Sequence, residues 1–227
     1  MIKVIAFDAD DTLWHNEIYF QEIENKFCQL LEDYLPQHTV ARELLQTEIK
    51  NIELYGYGIK AFLLSMIETA LRISDNTINS AVIGQIISFG KEMLEKPVLK
   101  MANVENVLSN LQPKYRLVVA TKGDLLDQER KLKKSNLEHY FHHIEIMSEK
   151  SEVDYQKLIK HLDIDASEFL MVGNSLKSDI LPVINIGGQA IHIPYHVTWS
   201  HEKVETTLQS KNFRQVESIS ELALILD

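Results

Sequence analysis

One short stretch near the N-terminus constrains this chain more than any other. Residues 4–7 form an apolar run, Val-Ile-Ala-Phe, that is typical of a buried strand, and the run ends at Asp8, with Asp10 and Asp11 close behind. Because alternate residues of an extended segment point the same way, the carboxylates of Asp8 and Asp10 can enter one small volume. Two carboxylates at that separation repel each other, so the pattern favours a cation such as Mg2+ between them. The simpler alternative is a strand followed by an acidic turn, and Asp11 is predicted to serve that turn.

Apolar periodicity divides the rest of the chain into two regions. Residues 15–97 show helical spacing, and we predict four helices joined by short turns, a small bundle covering residues 18–35, 40–54, 59–73 and 74–96. From residue 98 onward, strand and helix patterns alternate. The predicted strands are 115–120, 144–147, 169–172 and 190–193; the predicted helices are 103–111, 124–135, 153–162, 176–186 and 219–226.

This alternation predicts an α/β fold, a parallel sheet with helices on both faces, built from residues 1–14 and 98–227. The helical region 15–97 is then an insertion. In open α/β sheets, ligands bind at the carboxyl ends of the strands. Asp8, Thr121 and Gly173 lie at or just past such ends, and Lys150 follows another, so we expect them to converge.

Four short motifs resemble, in order, those of the haloacid dehalogenase superfamily. Residues 7–13, Phe-Asp-Ala-Asp-Asp-Thr-Leu, resemble its first motif, hydrophobic-Asp-x-Asp-x-Thr-Leu, and residues 118–121 resemble the second, a strand ending in Ser or Thr. Lys150 is similar to the third-motif lysine. Residues 172–179 are similar to the fourth motif, Gly-Asp-Ser-x-x-x-Asp, but Asn174 stands where the family mostly has Asp.

The resemblance implies a Rossmann-like core with an α-helical cap between the first and second motifs, and it implies roles for single residues. Asp8 would be the nucleophile and Asp10 the general acid–base. The phosphate would be bound by Thr121, Lys122, Gly123 and Lys150. Mg2+ would be held by Asp8, Asp10, Asn174 and Asp179. Since the Asn side chain is an uncharged oxygen ligand, we expect weaker Mg2+ binding than with Asp.

The expected function is therefore a Mg2+-dependent phosphatase that hydrolyses a small phosphomonoester through an aspartyl-phosphate. Dehalogenating relatives lack the second Asp, so Asp10 favours P–O over C–Cl chemistry. Two alternatives stay open: a phosphomutase using the same intermediate, and a phospho-accepting signalling domain, which also combines an acidic pocket, Thr, Lys and Mg2+. An EF-hand is excluded, because Leu13 stands at the position that requires Gly.

Composition limits partners and location. The net charge of −10 argues against nucleic acid as a partner and leaves a small phosphorylated metabolite. No apolar run approaches the ~20 residues needed to cross a bilayer, and no leader pattern precedes the first strand, so we expect no membrane partner. The single Cys28 fits a reducing cytoplasm. The sequence does not indicate an oligomeric state.

Overall fold

The computed structural model describes residues 1–204 and 208–226. The chain forms two compact units. One comprises Met1–Glu17, Val98–Lys122 and Gln128–Asp227; the other comprises Ile18–Pro97 and Gly123–Asp127. Among the described residues, no helix combines the length and apolarity needed to cross a membrane.

The second unit is built on four helices: α1 (Glu17–Leu30), α2 (Gln37–Tyr55), α3 (Ile59–Ile73) and α4 (Ser80–Glu95). Each buries one apolar stripe in a shared core that includes Phe27, Leu44, Phe62, Met66 and Ile86. Burying a side chain of this size contributes roughly 1.5–3 kcal/mol relative to leaving it exposed.

The two largest errors in the predicted helix bounds of this region are at the start of the fourth helix and the end of the first. The fourth helix begins at Ser80 rather than at residue 74, because the Asn79 side chain accepts the Ala81 N–H at 2.8 Å and so caps it. Asp75 and Asn76 have φ of 49° and 61° and lie in the turn that ends α3. The first helix ends at Leu30 rather than at residue 35.

The first unit contains a parallel sheet, as the alternation of elements predicted. In the described part of the chain its strands are β1 (Val4–Phe7), β2 (Arg116–Lys122), β3 (His143–Met147), β4 (Phe169–Gly173), β5 (Gln189–His192) and β6 (Phe213–Gln215). Their order is β3-β2-β1-β4-β5-β6. The first strand is therefore central, and Phe7 lies opposite Val119 on one side and Val172 on the other.

Helices cover both faces of this sheet: α5 (Val104–Leu111), α6 (Leu125–Ser135), α7 (Glu152–His161), α8 (Leu181–Asn185) and α9 (Leu222–Ile225). Alternate residues of β1 enter two different cores. Ile5 and Phe7 pack with residues of α5 and α9, while Val4 and Ala6 pack with residues of α7 and α8. The central strand is thus apolar throughout, because both of its faces are buried.

Two local expectations for this unit were wrong, and one strand was missed. The predicted helix 176–186 is a π-helical turn, Leu176–Ile180, followed by the short α8, with Pro182 in its first turn. The predicted helix 219–226 is a 3-10 turn, Ile219–Glu221, followed by the four-residue α9. Strand β6 was not predicted, because its three residues, Phe-Arg-Gln, carry no apolar alternation.

Candidate active site

Two carboxylates and one ammonium group meet at the carboxyl end of the sheet. The Asp8 N–H donates to the Val172 carbonyl at 2.9 Å, which extends the β1–β4 pairing by one residue. Lys150 Nζ donates to Asp8 Oδ1 at 2.5 Å and to Asp179 Oδ1 at 2.6 Å. The three side chains are 9% (Asp8), 2% (Lys150) and 1% (Asp179) exposed. Residues up to 171 positions apart in the sequence thus share one buried cluster.

Burial sets the protonation behaviour of this cluster. Removal from water raises the pKa of Asp8 to about 7, although the Lys150 ammonium acts in the opposite direction. Burial alone would lower the pKa of Lys150, but the Asp179 and Asp8 carboxylates outweigh that effect and hold it well above its usual value. Lys150 therefore stays charged, and it supplies one positive charge against two acidic groups.

Asp179 is held by the turn that follows β4. The Ser175 N–H donates to Asp179 Oδ2 at 3.0 Å, while Oδ1 accepts from Lys150. Gly173 is required at the end of the strand, because a Cβ atom there would lie 2.3 Å from Asp179 Oδ2. The fourth motif thus places a carboxylate directly against the backbone of the strand that precedes it.

Asn174 lies against the opposite side of Asp8. With its amide nitrogen directed inward, Asn174 donates to Asp8 Oδ2 at 3.2 Å, to Thr12 Oγ1 at 3.3 Å and to the Asp10 backbone carbonyl at 3.3 Å. This orientation is assigned from the hydrogen-bonding pattern, because the amide oxygen in that place would face acceptors. The Thr12 hydroxyl in turn donates to Asp8 Oδ2 at 3.3 Å.

The Asp10 carboxylate is bound by residues that the sequence did not point to. Lys131 Nζ lies 2.6 Å from Oδ1 and 2.7 Å from Oδ2. Trp14 Nε1 donates to Oδ1 at 2.7 Å, and Gln128 Nε2 donates to Oδ2 at 2.8 Å. Each carboxylate oxygen of Asp10 thus accepts two hydrogen bonds. In this conformation all the acceptor positions of the carboxylate are therefore occupied. Lys131 was one of several lysines on a polar helix, and nothing in its spacing distinguished it.

Asp11 forms the turn that its position predicted. Its φ is 62°, and its carboxylate accepts the N–H groups of Asn16 at 2.8 Å and Glu17 at 3.0 Å. Burial, followed by repulsion from Asp10, raises the pKa of Asp11 to about 7. Asp11 therefore shapes the path of the chain after the first motif.

The proposed phosphate-binding residues of the second motif have different surroundings. Thr121 is buried near the end of β2. Lys122 Nζ lies 2.6 Å from Glu202 Oε1 and 2.9 Å from Ser178 Oγ. Gly123 follows the strand with φ of 144° and belongs to the second unit. In this conformation the charge of Lys122 is paired with Glu202.

Glu202 is a largely buried charged group, with its side chain 11% exposed, that the sequence did not reveal. Its carboxylate accepts from Ser175 Oγ at 2.6 Å, from Ser178 Oγ at 2.7 Å and from Lys122. Burial acts to raise its pKa, but the Lys122 ammonium and the two hydroxyls outweigh that effect and lower the pKa to about 2. Glu202 thus connects the second motif to the fourth.

A family model for haloacid dehalogenase-like hydrolases matches residues 2–187. The chain belongs to this family. It is also similar to a haloacid dehalogenase-like family hydrolase of known structure from Xanthomonas campestris, with 36% identity, a TM-score of 0.88, and coverage of 99% of this chain and 90% of that one.

Curated relatives of this hydrolase include two proteins named glyceraldehyde 3-phosphate phosphatase. The protein from Pyrococcus abyssi is 28% identical over 208 residues, which cover 86% of this chain and 82% of the relative. The protein from Methanothermobacter thermautotrophicus is 23% identical, with both chains covered in full.

The hydrolase offers one oxygen set that suits a hard cation. Asp8 Oδ2 and the Asp10 carbonyl face the terminal atoms of the Asn174 amide, which can present Oδ1 instead of nitrogen. One carboxylate and two neutral oxygens, completed by water and phosphate oxygens, match the preference of Mg2+. Within residues 1–204 and 208–226, no three His, Cys, Asp or Glu side chains are arranged to hold a metal.

Proposed function

We propose that this hydrolase is a Mg2+-dependent phosphatase that acts on a small phosphomonoester through an aspartyl-phosphate. The observation that carries the proposal is the buried Asp8–Lys150–Asp179 cluster, with Asp10 two residues after Asp8. Family membership and the phosphatase names of the curated relatives support the same reaction class.

In the first step, an Asp8 carboxylate oxygen attacks phosphorus and the P–O bond to the leaving group breaks. Asp10 donates a proton to the departing alkoxide. In the second step, water attacks the acyl phosphate, Asp10 takes its proton, and inorganic phosphate leaves with Asp8 restored. Lys150 offsets negative charge on the nucleophile and on the transferred group, which is the main demand of phosphoryl transfer.

Of the four residues predicted to hold Mg2+, Asp8, Asn174 and Asp10 through its carbonyl would bind the ion. Both oxygens of Asp179 already accept hydrogen bonds, from Lys150 and from the Ser175 N–H, so Asp179 would orient Lys150 instead. Bound Mg2+ supplies positive charge beside the transferred phosphoryl oxygens. Thr121 and Gly123 would donate to the phosphate, and Lys122 would join them only after leaving Glu202. We assign the inserted helices, residues 15–97, the role of a cap that selects the substrate, and the single Cys28 supports a cytoplasmic setting.

The test is release of inorganic phosphate from a panel of phosphorylated metabolites, with Mg2+ and with EDTA. The relatives' names make three-carbon sugar phosphates the first compounds to assay. We expect turnover with Mg2+ and its loss in the Asp8→Asn variant. Equal phosphate release by the variant would contradict the proposal. Transfer of the phosphoryl group to a second hydroxyl would indicate a mutase, and a long-lived phospho-Asp8 would indicate a signalling domain.

A further inference from the structure

Three oxygen atoms converge on one atom of Asn174, and two of them belong to the oxygen set proposed for Mg2+. Asp8 Oδ2, Thr12 Oγ1 and the Asp10 carbonyl lie 3.2, 3.3 and 3.3 Å from it. Two of these oxygens, those of Asp8 and of the Asp10 carbonyl, can only accept hydrogen bonds while Asp8 is ionised. The Thr12 hydroxyl has a single proton, which it donates to Asp8 Oδ2, and because Asp8 and Thr12 are buried, water does not readily supply a further donor. The amide nitrogen of Asn174 supplies it.

The charges of the cluster make a donor at this position valuable. Lys150 already binds Asp8 Oδ1 and Asp179 Oδ1, so Oδ2 of Asp8 depends on other partners. An Asp at position 174 would place a third carboxylate about 3 Å from Asp8 Oδ2, and the two could avoid mutual repulsion only by binding a proton between them. In the metal-free chain this arrangement is repulsive, whereas the Asn amide is attractive.

We infer that Asn174 takes the place of the cation in the metal-free protein and that its amide turns over when Mg2+ binds. Half a turn about the Cβ–Cγ bond exchanges nitrogen and oxygen at almost the same position, so one residue serves both states. The amide loses its bonds to Asp8 and Asp10 in that exchange, and its oxygen carries no full charge. Asn174 therefore stabilises the metal-free protein and weakens Mg2+ binding. This inference rests on the proposed metal set but not on hydrolysis.

The test compares thermal unfolding of the full-length protein and the Asn174→Asp variant, each in EDTA and in Mg2+. In EDTA we expect the Tm of the variant to fall by at least about 3 °C. With Mg2+ we expect its Tm to rise by more than that of the wild-type protein. Asn106→Asp, on the exposed side of α5, adds the same charge away from the site and should change neither quantity.

Several results would overturn the inference. One is a Tm in EDTA for Asn174→Asp that equals or exceeds that of the Asn106→Asp control. Another is a Mg2+-dependent rise in Tm no larger than in the wild type. If Asn174→Asp does not fold, the double variant Asp8→Asn/Asn174→Asp decides, because it restores one amide beside one carboxylate. Recovery of folding in EDTA supports the inference, and failure to recover overturns it. None of these measurements depends on phosphate release. Failure of this inference can therefore be distinguished from failure of the proposed phosphatase function.

Discussion

At Lys150, one ammonium group is shared by two buried carboxylates, and removing it leaves both without their cation. We expect Lys150→Met to lower the free energy of unfolding by about 3–5 kcal/mol, the usual cost of breaking a buried ion pair. Lys157→Met is the matched control. That side chain is 72% exposed and pairs with Asp154 at the surface, so its loss should change stability by less than about 0.5 kcal/mol. Urea denaturation of both variants in EDTA measures the difference, and similar losses would refute the assignment.

Asp10 differs from Asp8 in what its side chain would do. As the proposed acid, it protonates the leaving oxygen, and that proton matters most for a poor leaving group. Asp10→Asn keeps the backbone carbonyl proposed for Mg2+ and removes the proton donor. We expect kcat/KM for an alkyl phosphate to fall by about 10²–10⁴-fold, and that for p-nitrophenyl phosphate to fall much less. Equal losses for the two substrates would argue against acid–base catalysis by Asp10.

Residue positions were predictable where the topology of the sheet determines them. Asp8, Lys150 and Asp179 converge because each follows a strand of one parallel sheet. These strands can be predicted from the apolar pattern of the sequence. Lys131 and Glu202 were missed for a physical reason. Lys131 reaches Asp10 from a helix face, and Glu202 reaches Lys122 from a loop, and neither contact leaves a periodic or spaced pattern.

Among the elements, the 3-10 turn Ser200–Glu202 has an effect out of proportion to its length. Through Glu202 it holds Lys122 at the end of β2 and both Ser175 and Ser178 in the turn after β4. The neighbouring Lys177 Nζ donates to the His201 carbonyl at 3.0 Å. This turn therefore connects the ends of β2 and β4, which are not hydrogen-bonded to each other in the sheet because β1 lies between them.

Glu202→Gln keeps the shape of the side chain and removes its charge. We expect the free energy of unfolding to fall by about 1–3 kcal/mol, because the partly buried Lys122 loses its close anionic partner. Glu149→Gln is the control, since Glu149 lies 3.7 Å from Lys122 and its side chain is 50% exposed. Urea denaturation at pH 7 compares the two. A larger loss in Glu149→Gln would show that Glu202 is not the main partner of Lys122.

The errors in the predicted fold fall on elements that leave only a weak pattern in the sequence. β6 pairs with β5 through three residues whose pattern resembles a loop, so its place depends on the sheet edge already formed. The π-helical turn arises because the N–H groups of Asp179 and Ile180 both donate to the Ser175 carbonyl. Such a turn is set by the site it carries rather than by helix propensity.

Over the whole molecule, several acidic side chains have pKa values that are shifted in opposite directions. Together they should give the protein a pH of maximum stability. Burial, and then repulsion from Glu24, raises the pKa of Glu48 on α2 from 4.5 to about 8. A raised pKa means that the native state binds the proton more tightly than the unfolded state does. The contribution of Glu48 to the free energy of unfolding is therefore full below pH 4.5 and is lost as pH rises through 8. Asp8 and Asp11, each raised to about 7, act in the same direction in the absence of metal.

Glu202 acts with the opposite sign. Its pKa is lowered from 4.5 to about 2, so its contribution is full above pH 4.5 and is lost as pH falls toward 2. The metal-free protein should therefore be most stable near pH 5, with a falling limb on each side. The net charge of −10 adds repulsion on the alkaline side.

Thermal unfolding in EDTA between pH 3 and 9 tests this profile, and two variants separate its limbs. Glu48→Gln should make the alkaline limb less steep, because the amide cannot be deprotonated while Asp8 and Asp11 still titrate, and Glu202→Gln should make the acid limb less steep. Glu53→Gln, exposed on the same helix as Glu48, should leave the profile unchanged. A wild-type Tm that climbs steadily from pH 5 to 8.5 would show that the buried acids do not govern stability. An alkaline limb that persists in Glu48→Gln would assign it to Asp8 and Asp11 instead.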